Sequence, residues 1–245
     1  MSTTWTIAKR EFRSYFDSPL AYVVICLSFI GLGLTFFTLN GGFWQLDRAT
    51  LQPLFHYAPR GLGMLVVPVV TMRLMAEERR SGTLEMLITL PVKDSDVILG
   101  KFLGAFGLVL VVLLGSIAYP LFMFNFPWNL GPLDMGPVVS GYVGLFLYSA
   151  AAVSVGLLVS SLADSQAVAF FITFAVLAAF GFVSSSLAEQ TTGALAGVLN
   201  YVSFEARMGG FARGLIDTRD VVFFVSITVL SLMVSFRALE RRKWA

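Results

Sequence analysis

The sequence predicts an all-α integral membrane protein whose single transmembrane domain, 1–245, crosses the bilayer six times. The first observation is composition: 57% of the residues are hydrophobic and 13% are charged, whereas soluble domains carry roughly 25% charged residues. The second is a series of long apolar runs, because a helix needs about 20 apolar residues to cross a bilayer. These runs predict spans at 19–39, 58–76, 98–124, 137–161, 167–187 and 219–236.

The first apolar run follows a cationic leader, as the core of a cleavable signal peptide would. It has 21 uncharged residues from Pro19 to Leu39, which exceeds the roughly 7–15 residues of a signal-peptide core. No small-x-small cleavage site follows, and we expect the run to remain as a span. The single cysteine, Cys26, lies inside it, which argues against a disulfide framework and a thiolate metal site.

The second run, 58–76, is weaker than the others. Only twelve residues separate Arg60 from Arg73, so the segment either crosses with both arginines anchored at the membrane surfaces or re-enters on one side. Six spans with both termini in the cytoplasm place twelve Lys and Arg residues inside and five outside. This charge bias favours a crossing.

Residues 1–18 predict an amphipathic connector helix at the membrane interface. One helical face carries Trp5, Ala8, Phe12 and Tyr15. The cationic residues Lys9, Arg10 and Arg13 lie off that face. Ser18-Pro19 then forms a corner into the first span. The alternative is a disordered cationic leader.

The sequence shows no catalytic, cofactor or metal site. It has one histidine, His56, so paired histidine ligands such as H-E-x-x-H are impossible. Gly100-Lys101 resembles the end of a P-loop, but Ser95 stands where the first glycine should be and Phe102 where Ser or Thr should be. We therefore expect no enzyme activity in this chain.

The span interiors carry almost no ionisable groups, which disfavours an ion-driven carrier. A channel would need a polar pore face, and no span supplies one clearly. The net charge of +2 gives no indication of a nucleic-acid partner.

Small residues, such as Gly100-x3-Gly104, permit close helix packing either within the chain or at a dimer interface.

The most polar stretch, 75–101, separates the second and third spans. Within it, 81–90 predicts a short helix that begins at Ser81-Gly82-Thr83, with Glu85 in its first turn. An apolar ridge follows at helical spacing, formed by Leu84, Leu87 and Ile88. Pro91 ends the helix. Such a ridge suits either a protein partner or the lipid surface.

The run EERRSGTLEMLITLPVK at 77–93, followed by Gly100-Lys101, resembles the cytoplasmic segment of ABC-2-type transporter permeases. The matching positions are Glu78, Gly82, Thr83, Leu84, Glu85, Leu87 and Pro91. The resemblance implies that 81–90 is a coupling helix, which docks on a separate ABC-type ATPase through these residues and Ile88. ATP and Mg would then be bound by that partner, and the connector residues Trp5, Lys9, Arg10, Phe12, Arg13 and Tyr15 would lie at the inner membrane interface.

Two further stretches are similar to one subfamily, the gliding-motility-associated permeases and their relatives in nitrous-oxide-reductase maturation. The first is KREFRSYFDSPLAYV at 9–23. The second comprises Tyr201, Gly214, Asp217 and Asp220, within and just after the 188–218 segment, where we expect short helices at the outer interface. The resemblance implies a second transmembrane subunit, identical or different, possibly with a large extracytoplasmic domain.

Together these patterns predict the permease subunit of an ABC-2-type exporter in a bacterial inner membrane, in contact with lipid. The alternative is a subunit that moves no cargo and transmits ATPase force to an extracytoplasmic partner.

Overall fold

The computed structural model describes residues 3–38, 50–80, 82, 93–124 and 134–242, and their regular structure is entirely helical. The helices are α1 (Thr3–Phe16), α2 (Pro19–Phe37), α3 (Gln52–Gly61), α4 (Val67–Thr71), α5 (Ala76–Arg80), α6 (Asp94–Ser116), α7 (Ala118–Phe124), α8 (Met135–Leu162), α9 (Gln166–Ala178), α10 (Ser184–Gln190), α11 (Ala194–Val202), α12 (Phe204–Ala212) and α13 (Thr218–Arg242). Two π-helical turns join α3 to α4 and α9 to α10, at Leu62–Val66 and Ala179–Val183.

In the part of the chain that the structure describes, six helices are long and apolar enough to cross a membrane, which confirms the predicted all-α membrane fold. They are numbered here as spans 1 to 6: Pro19–Phe37, Gln52–Arg79, Asp94–Leu121, Met135–Leu162, Gln166–Gln190 and Thr218–Glu240. Each crosses in the direction opposite to the previous one, so α1 and the end of α13 lie at the same end of the bundle.

Span 2 is longer than the sequence predicts, because the helix begins at Gln52 rather than near residue 58. The predicted run starts only near residue 58, because Gln52, Pro53 and His56 interrupt the apolar pattern before it. Proline inside a helix removes a backbone hydrogen bond. Pro59 lacks the N–H that would bond the carbonyl of Phe55, four residues earlier, while its own carbonyl accepts hydrogen bonds from the N–H of Leu62 and from the Tyr148 hydroxyl, the latter at 2.8 Å. The π-helical turn follows directly, as is common where a helix is perturbed.

Span 4 lies at the centre of the bundle and contacts helices of spans 2, 3, 5 and 6. Its glycines allow this close packing. A Cβ atom at Gly144 would lie 2.7 Å from the Phe211 ring, and one at Gly141 would lie 2.5 Å from the Phe55 ring. Spans 1, 5 and 6 are only 28%, 22% and 17% buried, so most of their apolar surface faces outward.

The connector helix α1 packs lengthwise against α6. A Cβ at Gly100 would lie 2.7 Å from Cβ of Ile7, and one at Gly104 would lie 2.6 Å from Cβ of Glu11. At the start of α6, the Thr4 hydroxyl donates to the Asp96 carboxylate at 2.8 Å. The glycine pair therefore serves packing within the chain, which was one of the two alternatives that the sequence left open.

This packing predicts different effects for two Gly→Ala substitutions. Gly104→Ala should lower the thermal midpoint, because the new methyl group overlaps α1; overpacking of this kind costs about 1–3 kcal/mol. Gly31→Ala is the matched control, since a methyl group at Gly31 would have no neighbouring segment within 4 Å. Thermal unfolding of both variants in detergent measures the difference, and equal midpoints would contradict the close contact of α1 with α6.

Candidate functional site

Helices α5 and α6, which precede and follow residues 81–92 in the chain, meet at a buried lysine. Lys101 lies in the second turn of α6, and its side chain is 1% exposed. Its ammonium group donates to Glu78 of α5 at 2.7 Å and to Glu11 of α1 at 3.1 Å. Three separate helices are thus joined at one cation, directly beside the segment that resembles a coupling helix.

The paired carboxylates explain how this lysine is tolerated. Removing a charge from water costs several kcal/mol unless the charge is paired and hydrogen-bonded. Glu11 and Glu78 supply two charged acceptors, and each retains a partly exposed side chain. A cavity of about 240 Å³ adjoins this cluster and is lined by Glu11, Ser14, Tyr15, Arg73, Leu74, Glu77, Glu78 and Lys101.

Tyr15 forms a second link between α1 and span 2. Its hydroxyl donates to the carbonyl of Val70 at 2.8 Å. Burial raises the pKa of the Tyr15 hydroxyl well above its ordinary value, and the nearby negative charge of Glu11 adds to the effect. The hydroxyl therefore stays protonated and keeps donating throughout the physiological range.

Arginines hold α5 from both sides. Arg73 pairs with Glu77 at 2.9 Å and donates to the hydroxyl of Ser18, at the corner between α1 and α2, at 3.3 Å. Arg79 pairs with Asp164 in the turn between spans 4 and 5. The end of span 2 nearest the termini is therefore fixed to the α1–α2 corner on one side and to the turn between spans 4 and 5 on the other.

Ser160 bridges the irregular stretch that leads into α5. Its hydroxyl accepts hydrogen bonds from the backbone N–H groups of Met75 and Ala76, at 3.1 and 3.3 Å. These donors would otherwise be buried and unsatisfied where the helix is interrupted.

The structure locates part of the predicted docking set. Glu78 belongs to the Lys101 cluster, and Gly82 adopts a left-handed conformation with φ of 70° that suits glycine. The other predicted docking residues lie outside the described residues: Thr83, Leu84, Glu85, Leu87, Ile88 and Pro91.

The predicted connector residues divide between two faces of α1. Tyr15 is buried, and Phe12 contacts the position of Gly107 on α6. Trp5 is 55% exposed, and Lys9, Arg10 and Arg13 are exposed as well.

A second charged cluster lies at the opposite end of the bundle, on α12. Arg207 is 8% exposed and pairs with Asp220 of α13 at 2.6 Å. It also donates through Nε and Nη2 to the carbonyl of Tyr201, at 3.0 and 2.7 Å. Its guanidinium carbon lies 4.5 Å from the ring centroid of Tyr201 and 3.9 Å from that of Phe223, a cation–π arrangement.

Glu205, two residues earlier on α12, joins spans 2 and 5. It is 7% exposed, pairs with Arg60 of α3, and accepts a hydrogen bond from the Ser185 hydroxyl at 3.0 Å. His56 Nε2 lies 3.5 Å from the same carboxylate. Because Arg207 reaches span 6, one short helix connects three spans through two buried charges of opposite sign.

The predicted extracytoplasmic motif residues fall around this cluster. Tyr201 and Asp220 meet at Arg207, while Asp217 caps α13 by accepting from the backbone N–H of Arg219 at 2.8 Å. Gly214 has φ of 92°, and a Cβ there would lie 3.4 Å from Pro137. The sequence pattern missed Glu205 and Arg207, because charges on a short helix outside the spans are typical of a solvated surface.

The short helices of this segment do not all lie flat at the interface. The Phe204 ring of α12 lies 5.9 Å from the ring of Tyr148, thirteen residues along α8 from Met135, which is roughly 20 Å of helix. Helix α12 therefore inserts into the bundle from the end opposite the termini.

These features define a polytopic helical membrane protein with the Lys101 ion-pair cluster at one end and an inserted helix at the other. The model of the ABC-2 family transporter proteins matches residues 61–236, which is 176 of 245 residues. The chain belongs to this family of transporter membrane components, and membership implies that it works with an ABC ATPase subunit. None of the curated proteins compared with the chain matches it.

The Lys101 cluster predicts a non-additive set of substitutions. Lys101→Met should lower the thermal midpoint strongly, because two neighbouring carboxylates lose their cation; breaking a buried pair costs about 3–5 kcal/mol. Glu11→Gln/Glu78→Gln/Lys101→Met removes all three charges together and should recover most of the loss. Thermal unfolding in detergent compares them, and a triple variant less stable than the single would show that charge pairing is not the source of the effect.

Arg207→Lys should also destabilise the protein, although the charge is kept. Lysine cannot bond Asp220 and the Tyr201 carbonyl together with the planar fork that arginine provides. The matched control is Arg213→Lys, since Arg213 is exposed and, among the described residues, its side chain donates only to the carbonyl of Gly209, one turn earlier. Equal thermal midpoints for the two variants would show that the fork geometry at Arg207 is unimportant.

Proposed function

We propose that this chain is the membrane-spanning subunit of an ABC-2-type exporter in a bacterial inner membrane, with both termini in the cytoplasm. A separate ATPase would bind ATP and Mg and dock on the 81–90 coupling helix. The observation that carries the proposal is the buried Lys101 cluster, which joins the helices on either side of that segment to the connector helix α1.

The cluster supports coupling for a mechanical reason. A force applied to 81–90 reaches the bundle through the end of α5 and the start of α6. Because Glu78 and Lys101 are bonded to each other, those two helix ends are held together. Glu11 adds α1 to the same unit. Movement of the docked segment would therefore shift spans 2 and 3 and the connector together, instead of bending a loose loop.

The orientation follows from the distribution of cations. Of the 17 Lys and Arg residues, twelve belong to the termini end of the bundle and its connecting segments. Cytoplasmic loops carry such an excess in multi-pass membrane proteins. This excess supports a cytoplasmic location for the coupling segment and the Lys101 cluster, where an ATPase has access to ATP.

We propose that a second transmembrane subunit completes the transporter, as a copy of this chain or as a different protein. Spans 1, 5 and 6 are the least buried and would provide surface for it and for lipid. The resemblance to gliding-motility-associated and nitrous-oxide-reductase-maturation permeases favours a partner with an extracytoplasmic domain.

One observation favours force transmission as the second candidate function. An open groove of about 700 Å³ lies between α11 and the start of α13, at the end opposite the termini. It has both polar and apolar lining, including Asn200, Tyr201, Asp217 and Arg219, which suits a protein partner. Stimulation of the ATPase by an extracytoplasmic partner without cargo would favour this function, whereas stimulation by cargo would favour export.

The docking proposal is tested by placing a photo-crosslinking amino acid at Leu87 and irradiating native membranes. We expect a crosslink to an ABC ATPase, identified by mass spectrometry after purification. Crosslinks to lipid alone would overturn the coupling-helix assignment and leave the lipid-surface alternative for 81–90.

Leu87→Asp should abolish ATPase association while membrane insertion is retained, because it places a charge in a desolvated contact. Thr89→Asp is the control, since it adds the same charge outside the ridge of Leu84, Leu87 and Ile88. Co-purification of the ATPase with each variant gives the readout. Normal ATPase binding by Leu87→Asp would contradict the predicted docking ridge.

A further inference from the structure

An apolar groove runs along the outer face of the bundle between span 1 and span 2. Its volume is about 300 Å³, at the lower end of the range for small-molecule sites. The lining residues are Leu27, Ser28, Gly31, Leu32, Thr35, Tyr57, Arg60, Gly61, Leu62, Leu65 and Val66. Leu27 and Leu65 are 47% and 38% exposed, so the groove opens sideways, towards the hydrocarbon region of a surrounding bilayer.

The walls of the groove present almost no free polar groups. The Ser28 hydroxyl donates to the carbonyl of Val24 at 2.5 Å, and the Thr35 hydroxyl donates to that of Leu32 at 2.9 Å. Both hydroxyl groups therefore donate their hydrogen bonds within α2. Gly31 and Gly61 leave the floor open, since a Cβ atom added at either one would have no neighbouring segment within 4 Å.

The length of the groove matches one leaflet of a bilayer. Leu27 and Thr35 mark its two ends on α2, and eight residues of helix span roughly 12 Å. Half of a bilayer's hydrocarbon core is about 15 Å thick. An acyl chain that lies parallel to α2 would therefore fill the groove from the membrane surface towards the midplane.

A cation stands at the surface end of the groove. Arg60 is 30% exposed in its side chain and uses Nη2 to pair with Glu205. Its Nη1 makes no hydrogen bond to the described residues, and its Nε is buried. An arginine carries five N–H donors, so the Nη1 edge is available to a second anionic oxygen. The ring of Tyr57, whose centroid lies 5.6 Å from the guanidinium carbon, borders the same end.

We infer that this groove binds one phospholipid of the leaflet at the end of the bundle opposite the termini. One acyl chain lies in the groove, and a phosphate oxygen accepts a hydrogen bond from Nη1 of Arg60. A charge-assisted bond of this kind is stronger than a neutral one. The groove has apolar walls along its length and the cation Arg60 at one end, which matches an acyl chain followed by a phosphate group. This inference does not rest on ATPase coupling.

The test uses the full-length protein in detergent and native mass spectrometry, with phosphatidylglycerol and a diacylglycerol of the same acyl chains as probes. The wild type should retain one phosphatidylglycerol per chain and bind diacylglycerol more weakly. Gly31→Trp fills the groove and should reduce phosphatidylglycerol retention about tenfold. A tenfold loss of affinity corresponds to losing the burial of only about two CH₂ groups of the acyl chain. Ile30→Trp is the matched control: Ile30 is 57% exposed and does not line the groove.

A further variant examines the phosphate contact. Arg60→Gln/Glu205→Gln replaces the ion pair with a neutral pair that can still hydrogen-bond, and it should lose the preference for phosphatidylglycerol over diacylglycerol. Thermal midpoints show which variants are folded. If Gly31→Trp is not folded, Gly31→Leu replaces it in the test. Equal retention by the Gly31 variant and the wild type, or equal loss in Ile30→Trp, would overturn the groove assignment. A preference that survives in the Arg60 double variant would overturn the phosphate contact.

Discussion

The ion pairs of Lys101 are the interaction on which the helix arrangement depends at the end of the bundle that carries the termini. A fully buried ammonium group is stable there only because two carboxylates from two other helices bond to it. Each of the three helices is therefore positioned by the other two. Tyr15, Arg73 and Arg79 add further links between the end of span 2 and its neighbours. The end of α5 and the start of α6 are therefore held together rather than independent.

The opposite end of the bundle is organised around the inserted helix α12. Helix α12 carries Glu205 and Arg207 into the bundle and meets partners from three spans. Because Glu205 and Arg207 pair with different spans, α12 is constrained against both rotation and movement out of the bundle. The groove beside span 1 shares Arg60 with this cluster, which connects the lipid-facing surface to the interior of the bundle.

Hydropathy and charge bias were sufficient to predict six spans, because length and the exclusion of charge are local properties of the sequence. They place the start of span 2 near residue 58, whereas the helix begins at Gln52, because the polar and proline residues at 52–57 hide its first turns from a hydropathy pattern. Lys101, Glu205 and Arg207 were not predicted as buried, since their partners are distant in sequence or lie on other helices. Motif resemblance did select Glu78, Tyr201 and Asp220, which the structure places in the two clusters, while most of 81–90 lies outside the described residues.

The packing of α1 on α6 has a consequence for the order in which the protein assembles. Thr4 and Asp96 are 92 residues apart, so the connector helix leaves the ribosome well before its glycine-lined partner has been made. Chains fold from the N-terminus during synthesis, and α1 has no permanent docking site at that stage. Its amphipathic character suits this interval, because a helix with one apolar face rests stably on a lipid surface. We therefore expect the membrane surface to hold α1 until span 3 has been synthesised and packs against it.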